Sequence, residues 1–598
     1  MNVENKLSAL RRLMKERNLA AYIIPTDDFH GSEYVGKYFK AREYMSGFTG
    51  SAGTLLVLPD EAALWTDGRY FIQAAEQLKG SPITLMRSGQ PNVPKIAEYL
   101  RDQLEEKSVI GFDGRTVTEQ FVQTIVKETE AKQITFDGSE DLVGLVWQER
   151  PSISTEPVWE VDVKYTGRSR EDKISDVREK MREEKVDVLL LTALDEIAWL
   201  LNLRGNDVAY TPVFLAYMLL TLDGAQLFVH EQILSDEIRR KLEQAGISVS
   251  PYDGIENALQ DITDGKKIWI DSGSANYRLV HSLGGVEKID KSSPVTLMKA
   301  VKTPQEMEHI RAAHVKDGVA LTRFMRWLKT NVGQEKITEI SAIKKLETFR
   351  AQMEGYLGPS FGPIIAYGAH GAIAHYEPTD ETDVEVTVGN FCLADTGGHY
   401  REGTTDVTRT FAMGTIPEEE RKYYTTVLRG HLALGAAKFL HGICGQNLDI
   451  LAREPLWESD LDYNHGTGHG VGFILNVHEG PQRVQWRISE ESKVVPLEEG
   501  MVISNEPGFY LEGSFGIRHE NLVLCRKGEK NEYGQFMYLE PLTMAPYDRD
   551  AILPELMSDR EIKWLNDYHR KVYEALAPYF EGEELTWLKE ATAEVTKE

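Results

Sequence analysis

Side chains that could bind metal ions are concentrated between residues 395 and 520. Asp395 closes the apolar run FCLAD, and Asp406 follows eleven residues later among threonine and valine residues that favour strands. A hairpin turning at Gly397 and Gly398 would bring the two carboxylates together. Adjacent carboxylates repel unless they share a proton or a cation, so the pair indicates a metal site. Taken alone, the pair is also typical of an ordinary hairpin with Asp in its turns.

Histidines alternate with glycines in the segment HGTGHGVG, where His465 and His469 lie four residues apart. His478 follows nine residues after His469, in NVHEGP. Glycine permits close backbone approach, and imidazole is a nitrogen ligand that borderline cations accept. The glycine spacing resembles a phosphate loop, but the interleaved histidines and the lack of a preceding βαβ strand argue against a dinucleotide site. Each histidine alone would also fit a structural role.

Two glutamates lie in strand-like segments further along the chain. Glu506 ends an apolar run in MVISNEPGFY, and Glu520 is predicted inside the β run FGIRHENLVL. A charged side chain that faces a core is costly unless it is paired or binds a metal. Alternation places Arg518 and Glu520 on one strand face and His519 on the other. For Glu520 alone, an edge strand with a solvated polar face is the alternative.

The part of the chain that precedes these residues contains an internal repeat. At 598 residues the chain exceeds what one hydrophobic core can organise. Residues 6–28 and 173–195 each predict a helix, an apolar strand and an acidic turn. Each copy continues through a glycine-containing loop to a similar final strand, VIGFD or IWID. The repeat predicts two similar α/β domains, near residues 1–158 and 159–298.

The remaining residues, 299–598, are predicted to form a chemically distinct third domain with a C-terminal extension. A helix is predicted to open it over residues 303–330. The candidate carboxylates in this segment are accompanied by six histidines, His375, His399, His465, His469, His478 and His519. No long flexible linker interrupts the sequence, so the domains are expected to pack together.

Composition excludes several classes of partner. A formal net charge of −27 argues against nucleic-acid binding and against anionic membrane surfaces. Three cysteines cannot supply a disulfide framework for this length, which is typical of a reducing compartment. The N-terminal segment predicts an amphipathic helix and no signal peptide, and the longest apolar stretch, residues 213–222, is about half of a bilayer span. We expect a cytoplasmic protein with no membrane or nucleic-acid partner.

The ordered set Asp, Asp, His, Glu, Glu resembles the pita-bread metallopeptidases, family M24. The segments AIAHYEP, GTTDVTRT, HGTGHGVG, NVHEGP and NEPGFY are similar to its three-domain aminopeptidase P (Xaa-Pro aminopeptidase) branch. ALWTDGRY near Arg69 and NLRGNDVAYTPVF near Arg204 also look like that branch, so the resemblance spans the chain. It implies two creatinase-like N-terminal α/β domains followed by a C-terminal pita-bread catalytic domain of α+β type.

Carried onto this sequence, the resemblance implies a centre of two divalent cations. Its ligands would be Asp395, Asp406, His469, Glu506 and Glu520, with Asp406 and Glu520 bridging the cations. Manganese is the metal the family most often uses, and a carboxylate-rich site with one imidazole is compatible with it. Zinc and cobalt stay open as alternatives.

The same resemblance assigns roles around the cations. Glu506 would accept a proton from the attacking water, and His478 and His375 would act on the oxyanion as further catalytic residues. The expected substrate-binding residues are His465, Arg518, Tyr510 and Arg69, the last from the first domain. His519 departs from the apolar residue expected there, and we predict that it points away from the cations.

The implied function is a metal-dependent exopeptidase that hydrolyses the bond between a first residue and a penultimate proline in peptides. A prolidase that cleaves only dipeptides, and a creatinase-like enzyme without metal, are alternatives on the same fold. A non-catalytic peptide-binding or chaperone module is the alternative from another class.

A homodimer joined through the third domain is also implied. The helix predicted in DREIKWLNDYHRKVYEALAPYF has an aromatic-rich stripe, including Tyr568 and Val572, that needs cover. Packing of this helix on its own domain is the other explanation for the stripe.

Overall fold

The computed structural model describes residues 1–263, 265–488 and 494–597. The chain forms two compact units, one made of Met1–Val161 with Arg168–Thr296 and the other of Asp162–Gly167 with Leu297–Glu598. The three domain boundaries given by the sequence stay predictions.

Most strands are short, as expected for mixed α/β domains. In the described residues they run, in chain order, as β1 (Ala21–Pro25), β2 (Thr54–Val57), β3 (Ala62–Thr66), β4 (Thr84–Arg87), β5 (Val109–Phe112), β6 (Thr135–Asp137), β7 (Trp159–Glu160), β8 (Val188–Leu191), β9 (Leu203–Arg204), β10 (Ala216–Thr221), β11 (Ala225–Val229), β12 (Ile247–Pro251), β13 (Lys267–Ile270), β14 (Glu287–Asp290), β15 (Tyr356–Pro359), β16 (Ile364–Tyr367), β17 (Asn390–Thr396), β18 (Gly398–Tyr400), β19 (Gly403–Thr404), β20 (Val407–Met413), β21 (Lys438–Leu440), β22 (Gly468–Gly470), β23 (Glu479–Val484), β24 (Val502–Asn505), β25 (Gly508–Leu511), β26 (Phe515–Arg518), β27 (Asn521–Asn531) and β28 (Gly534–Pro541).

The α-helices of the same residues are α1 (Val3–Glu16), α2 (Ala41–Ser46), α3 (Phe71–Gln77), α4 (Ile96–Gln103), α5 (Glu119–Thr129), α6 (Leu142–Val146), α7 (Val163–Thr166), α8 (Arg170–Glu184), α9 (Leu194–Leu201), α10 (Asp236–Gln244), α11 (Ile255–Gln260), α12 (Tyr277–Ser282), α13 (Pro294–Ala300), α14 (Pro304–Asn331), α15 (Glu339–Arg350), α16 (Glu418–Gly435), α17 (Gly445–Trp457), α18 (Asp559–Leu576) and α19 (Gly582–Ala591). No helix in the described ranges is both long and apolar enough to cross a membrane.

The first unit contains two six-stranded mixed sheets. The first has the order β4-β3-β2-β1-β5-β6. Successive residues of β1 belong to different cores, because Tyr22 and Ile24 pack in one apolar cluster and Ala21 and Ile23 in another. A sheet buried on both faces in this way explains why its strands are apolar throughout instead of alternating with polar residues.

The second sheet of this unit repeats the topology of the first. Its order is β12-β11-β10-β8-β13-β14, with the same sequence of antiparallel and parallel neighbours. The contact between the halves is reciprocal: Glu119 N donates to Ala275 O at 3.0 Å, and Tyr277 N donates to Val117 O at 2.8 Å. The internal repeat predicted from the sequence is therefore confirmed in the fold.

The second unit is built around antiparallel sheets covered by helices. The principal ones are β16-β17-β20 and β21-β28-β27-β24-β22-β23. Helix α14 begins at the Thr303 capping box, close to the predicted start. Apolar residues of α14 and α15 pack on β17 through Cys392 and Ala394, so Leu393 and Asp395 lie on the opposite strand face. This mixed architecture confirms the predicted fold class.

The stripe on α18 does not need a second chain to cover it. Leu565, Tyr568, Val572 and Leu576 are buried in the core of their own unit, together with residues of α16 such as Val427. The helix therefore supplies no physical support for the expected dimer, because packing within the unit already removes its apolar face from water.

Candidate dinuclear metal centre

Two neighbouring strands bring the first pair of carboxylates together. Asp395 on β17 lies opposite Thr408 on β20, and Asp406 directly precedes β20. The predicted pairing is right, but the connection is not a Gly-Gly turn. Residues of β18 and β19 form a further hairpin against β15. The chain leaves β17 at Gly397, where a Cβ would lie 2.1 Å from the Thr405 carbonyl oxygen, so only glycine fits.

His469 lies on β22 with its ring orientation fixed by the backbone. Its Nδ1 lies 2.9 Å from the Gly470 carbonyl oxygen. A carbonyl only accepts, so this contact assigns the proton to Nδ1 and leaves Nε2 as the unprotonated nitrogen that faces the candidate carboxylate ligands. Nε2 lies 3.6 Å from Asp406 Oδ2 and 3.3 Å from Glu506 Oε1. Metal-binding histidines are commonly oriented by such an outer hydrogen bond.

Ser504 connects two of the candidate ligands. Its hydroxyl donates to Glu506 Oε1 at 3.0 Å and accepts from His469 N at 2.9 Å. Ser504 and Glu506 are two residues apart at the end of β24, so the alternation of the strand places both side chains on one face.

Glu520 lies between strands and not within one. Strand β26 ends at Arg518 and β27 begins at Asn521, so the predicted continuous β run is wrong at this point. The hydrogen bonds explain the break: Glu520 N donates to Thr408 O at 3.1 Å, and Arg409 Nη1 donates to Glu520 O at 2.6 Å. The chain passes from one sheet to the other here, and the side chain accepts from Thr408 Oγ1 at 2.7 Å.

Burial, together with mutual repulsion, disfavours the ionised form of the carboxyl groups in the cluster. Burial, followed by the charges of Asp395 and Glu506, raises the pKa of Asp406 well above its ordinary value. Burial and the charge of Asp406 do the same to the pKa of Glu520. Burial raises the pKa of Glu506 to about 7, although the Arg518 charge opposes that rise. Additional positive charge would favour the ionised form of all of these groups.

The donor set fits divalent cations. Ligand atoms of Asp406, His469 and Glu520 all lie within 4.8 Å of one another. Asp395 Oδ1 is buried and finds no hydrogen-bond partner among the described residues, which is unusual for a carboxylate oxygen and is explained if a cation binds it. Carboxylate oxygens with a single imidazole suit hard or borderline divalent ions.

A hydrogen-bonded chain extends from the cluster towards His465. Arg518 Nη2 donates to Asp395 Oδ2 at 2.5 Å, and Arg518 Nη1 donates to Tyr510 OH at 2.7 Å. Tyr510 OH lies 2.8 Å from His465 Nε2, while His465 Nδ1 lies 2.8 Å from Gly466 O. Because Nδ1 is the donor to the carbonyl, the tyrosine hydroxyl donates to Nε2. Three predicted substrate-binding residues are thus brought together beside a predicted ligand.

The other predicted histidines lie nearby. The ring of His478 lies 4.4 Å from that of His469, in an edge-to-face arrangement. His375 directly follows Ala374, whose carbonyl oxygen accepts from Arg518 Nη2 at 3.4 Å. His519 is fully buried with its ring against Tyr424, which agrees with the expectation that it points away from the cluster.

Arg69 belongs to the first unit. Its Nε and Nη2 each donate to Asp67 at 2.8 Å, and Nη1 lies 3.7 Å from Glu33. Both contacts hold the guanidinium within that unit, and its predicted role in substrate binding stays a proposal.

The sequence interpretation missed the residues that hold the ligands and the histidine loop. Thr408 and Ser504 lie within the quoted motifs, each two residues from a candidate ligand, Asp406 or Glu506. Because side chains two residues apart in a strand share a face, this spacing could have identified them. Arg453 on α17 was not identified at all. It donates to the carbonyl oxygen of His465 at 2.8 Å and to Asp449 at 2.7 Å, and so holds the loop before β22.

Comparison with known proteins agrees with the metallopeptidase resemblance of the sequence. Residues 308–527 match Metallopeptidase family M24, and 535–595 match the C-terminal region of peptidase M24. Residues 6–143 and 149–306 each match the Creatinase/Prolidase N-terminal domain. A probable Xaa-Pro aminopeptidase P from Laccaria bicolor is 38% identical over 98% of this chain and 93% of its own length. The chain belongs to family M24.

Two further comparisons extend this family assignment over the full length. A probable Xaa-Pro aminopeptidase P from Botryotinia fuckeliana is 40% identical over 98% of this chain and 92% of its own length. The crystal structure of an X-prolyl aminopeptidase from Caenorhabditis elegans, described as a cytosolic enzyme with a di-nuclear active site, superposes with a TM-score of 0.95. It is 33% identical, and all of both chains is covered. The M24 segment contains all five candidate ligands.

Removal of one ligand should abolish metal retention by this M24 chain. We expect Asp395→Asn, His469→Ala and Glu520→Gln each to lose bound metal and activity, because each removes a donor from a cluster arranged to hold cationic charge. Metal per chain is measured by mass spectrometry after gel filtration. The control is Glu540→Gln, whose carboxylate pairs with Arg311 at 2.6 Å and not with the cluster. Full activity of metal-loaded Glu520→Gln would contradict the two-metal site.

Proposed function

We propose that this chain is an Xaa-Pro aminopeptidase, a dinuclear metallopeptidase that releases the first residue from peptides with proline in position two. The observation that carries the proposal is the convergence of the predicted ligands and the Arg518–Tyr510–His465 chain on one site. Full-length similarity to proteins with that name supports the substrate class.

Asp395, Asp406, His469, Glu506 and Glu520 are the residues that would hold two divalent cations. When bound, such cations polarise a carbonyl and lower the pKa of a shared water. Manganese is our proposal for the native ion, because four carboxylates and a single imidazole form an oxygen-rich donor set.

Glu506 is the residue that we assign to move the proton of the reaction. The Ser504 hydroxyl donates to Oε1 of its carboxylate, and His469 Nε2 lies 3.3 Å from the same oxygen. We assign Glu506 as the base that takes a proton from the attacking water. The same proton is then delivered to the proline nitrogen as the peptide bond breaks, so the new amino terminus leaves neutral.

The oxyanion that forms at the scissile carbonyl requires hydrogen-bond donors. His478 and His375 are the residues we assign to it, since the His478 ring lies beside that of His469 and His375 follows Ala374, whose carbonyl accepts from Arg518. The free amine of the first residue would lie against the carboxylates, which favours an exopeptidase over an endopeptidase.

Proline must be recognised without a hydrogen bond from its peptide nitrogen. An imide nitrogen before cleavage has no hydrogen to donate, so the pocket must recognise ring shape. His465 lies with its ring 4.8 Å from Tyr463 and 5.4 Å from Tyr510. This aromatic wall is the surface we assign to the proline ring.

Cytoplasmic location is proposed from the net charge, the cysteine content and the description of the nematode relative as cytosolic. The three-domain division at residues 1–158, 159–298 and 299–598 is retained as a proposal, as is a role of Arg69 in substrate binding. A homodimer joined through the third domain is also proposed. Because the apolar stripe of α18 is already buried in its own unit, we propose an interface on another surface.

Exposed aromatic residues on the second unit offer that surface. Trp457, at the end of α17, and Trp486, after β23, are 40% and 44% exposed, and their rings lie 6.4 Å apart. Ile450 and Ile488 are exposed in the same two segments. Tryptophans of this kind are enriched in the cores of protein interfaces.

Substrate length and sequence distinguish the candidate activities. We expect metal-dependent release of arginine from Arg-Pro-Pro, with Arg-Ala-Ala cleaved at least about 100-fold more slowly, since binding energy at the proline ring is lost. A chromatographic assay of free arginine measures both. Cleavage of Xaa-Pro dipeptides alone would show a prolidase, and binding without cleavage would show a non-catalytic module.

Replacement of His478 tests the oxyanion assignment. His478→Ala should keep both metal ions and lower kcat by roughly two to three orders of magnitude, because one donor to the developing charge is lost. Steady-state kinetics with parallel metal analysis give both quantities. If the variant loses metal instead, His478 is a ligand and the assigned set is wrong.

The mass in solution tests the dimer. Light scattering at micromolar concentration should give about twice the chain mass of 67.6 kDa, and Trp457→Ala with Trp486→Ala should shift it towards one chain. Tyr533→Ser, which changes an aromatic residue that is 74% exposed on the β27–β28 turn, is the matched control. A wild-type mass near that of one chain would refute the dimer.

A further inference from the structure

The segment that carries His375 is packed closely on a strand of the metal centre. It follows β16 and begins with a single helical turn over Gly368–Ala372. Gly371 lies against Gly516 of β26, and a Cβ on Gly516 would lie 1.7 Å from the Gly371 carbonyl oxygen. Only glycine fits at this contact, which brings the segment within two residues of Arg518.

A single buried carboxylate holds the same segment. Glu339, the first residue of α15, is fully buried. Its Oε1 accepts from Tyr367 N at 2.8 Å and from His370 Nδ1 at 2.9 Å, and its Oε2 accepts from Tyr376 OH at 2.8 Å. The donors therefore come from the start, the middle and the end of residues 367–376.

The hydrogen bonds of α15 itself do not require this carboxylate. Thr338 and Ser341 form the capping box of the helix, and Glu339 N and Ile340 N are taken by Val384 O and Asp383 Oδ1. The side chain of Glu339 is thus committed to the neighbouring segment and not to the N-terminus of its own helix.

We propose that Glu339 is a positioning residue that fixes His375 for the reaction. The inference rests on the proposed function and adds the group on which the placement of His375 depends. Tyr376, the residue directly after His375, is buried and bonded to Glu339, so the carboxylate acts one residue from the imidazole. On the other side, Ala374 O accepts from Arg518, which also binds Asp395. His375 is therefore held between a buried anion and the metal centre.

The physical basis is the cost of moving any of these partners. A buried carboxylate that accepts three hydrogen bonds loses charge-assisted interactions if the segment shifts. His370 further restricts the segment, because its ring stacks on that of Tyr376 with the two centroids 4.5 Å apart. Displacement of a catalytic group by about 1 Å can lower a rate by roughly 100-fold. An anchor of this kind acts on kcat more than on substrate binding.

The test compares substitutions of Glu339 and of a matched glutamate on the same helix. Glu347 also accepts from a tyrosine hydroxyl, that of Tyr356, at 2.8 Å, but does not contact residues 367–376. Glu339→Ala should lower kcat about 10- to 100-fold, with KM changed less than about threefold and the metal content unchanged. Glu339→Gln should recover most of the rate, because the amide oxygen still accepts. Glu347→Ala should retain wild-type kinetics.

Two further measurements separate positioning from general support of the fold. In a His375→Ala background, Glu339→Ala should lower kcat little further, because the two residues act as a unit. Hydrogen exchange at residues 368–376 should be faster in Glu339→Ala and unchanged in Glu347→Ala. Additive losses in the double variant, or unchanged exchange in a slow Glu339→Ala, would overturn the proposal.

Milder changes keep the test decisive if Glu339→Ala does not fold. Tyr376→Phe removes one donor and preserves the ring, and it should lower kcat several-fold only when His375 is present. An equal loss in both backgrounds would overturn the inference. If the wild-type chain does not cleave Xaa-Pro peptides, the proposed function fails, and the exchange measurement still decides whether Glu339 holds the segment.

Discussion

Repulsion among buried carboxylates is the constraint on which the catalytic unit depends. Asp395, Asp406, Glu506 and Glu520 approach one another from two sheets, and Arg518 supplies one positive charge against them. A cluster of this kind is unfavourable in a low-dielectric interior until cations join it. Metal binding and the final ordering of these strands are therefore expected to be coupled.

The groups that support this cluster are mainly neutral. Hydroxyls of Thr408 and Ser504 hold two of the carboxylates, and a backbone carbonyl orients His469. Neutral donors fix position without cancelling the negative charge that attracts cations, whereas further lysines or arginines would compete with the metals. The positive side chain that is present, Arg518, also connects the cluster to the assigned proline pocket through Tyr510.

Local sequence patterns predicted the parts of this arrangement that depend on local chemistry. The repeat of helix and strand predicted the two matching sheets, and the carboxylates Asp395 and Glu506, expected at strand ends, do lie at the ends of β17 and β24. The two predictions that were wrong, the Gly-Gly turn and the continuous strand at Glu520, concern contacts between residues far apart in the sequence. The additional hairpin after Gly397 forms because β18 pairs with β15, almost 40 residues earlier in the sequence. The strand is interrupted at Glu520 because Arg409, more than 100 residues earlier, binds its carbonyl oxygen. Alternation within a strand carries no information about either partner.

Reciprocity between the halves of the first unit has a consequence for how that unit folds. Residue 119 meets 275 and residue 277 meets 117, which is the pattern of a twofold interface, here within one polypeptide. Because the covalent connection fixes the effective concentration of the partners, dilution cannot separate them. The first amides of α5 and α12 are each satisfied by a carbonyl of the opposite half. Each half therefore completes the other's helix ends, and the halves should gain and lose structure as one cooperative body despite having separate sheets.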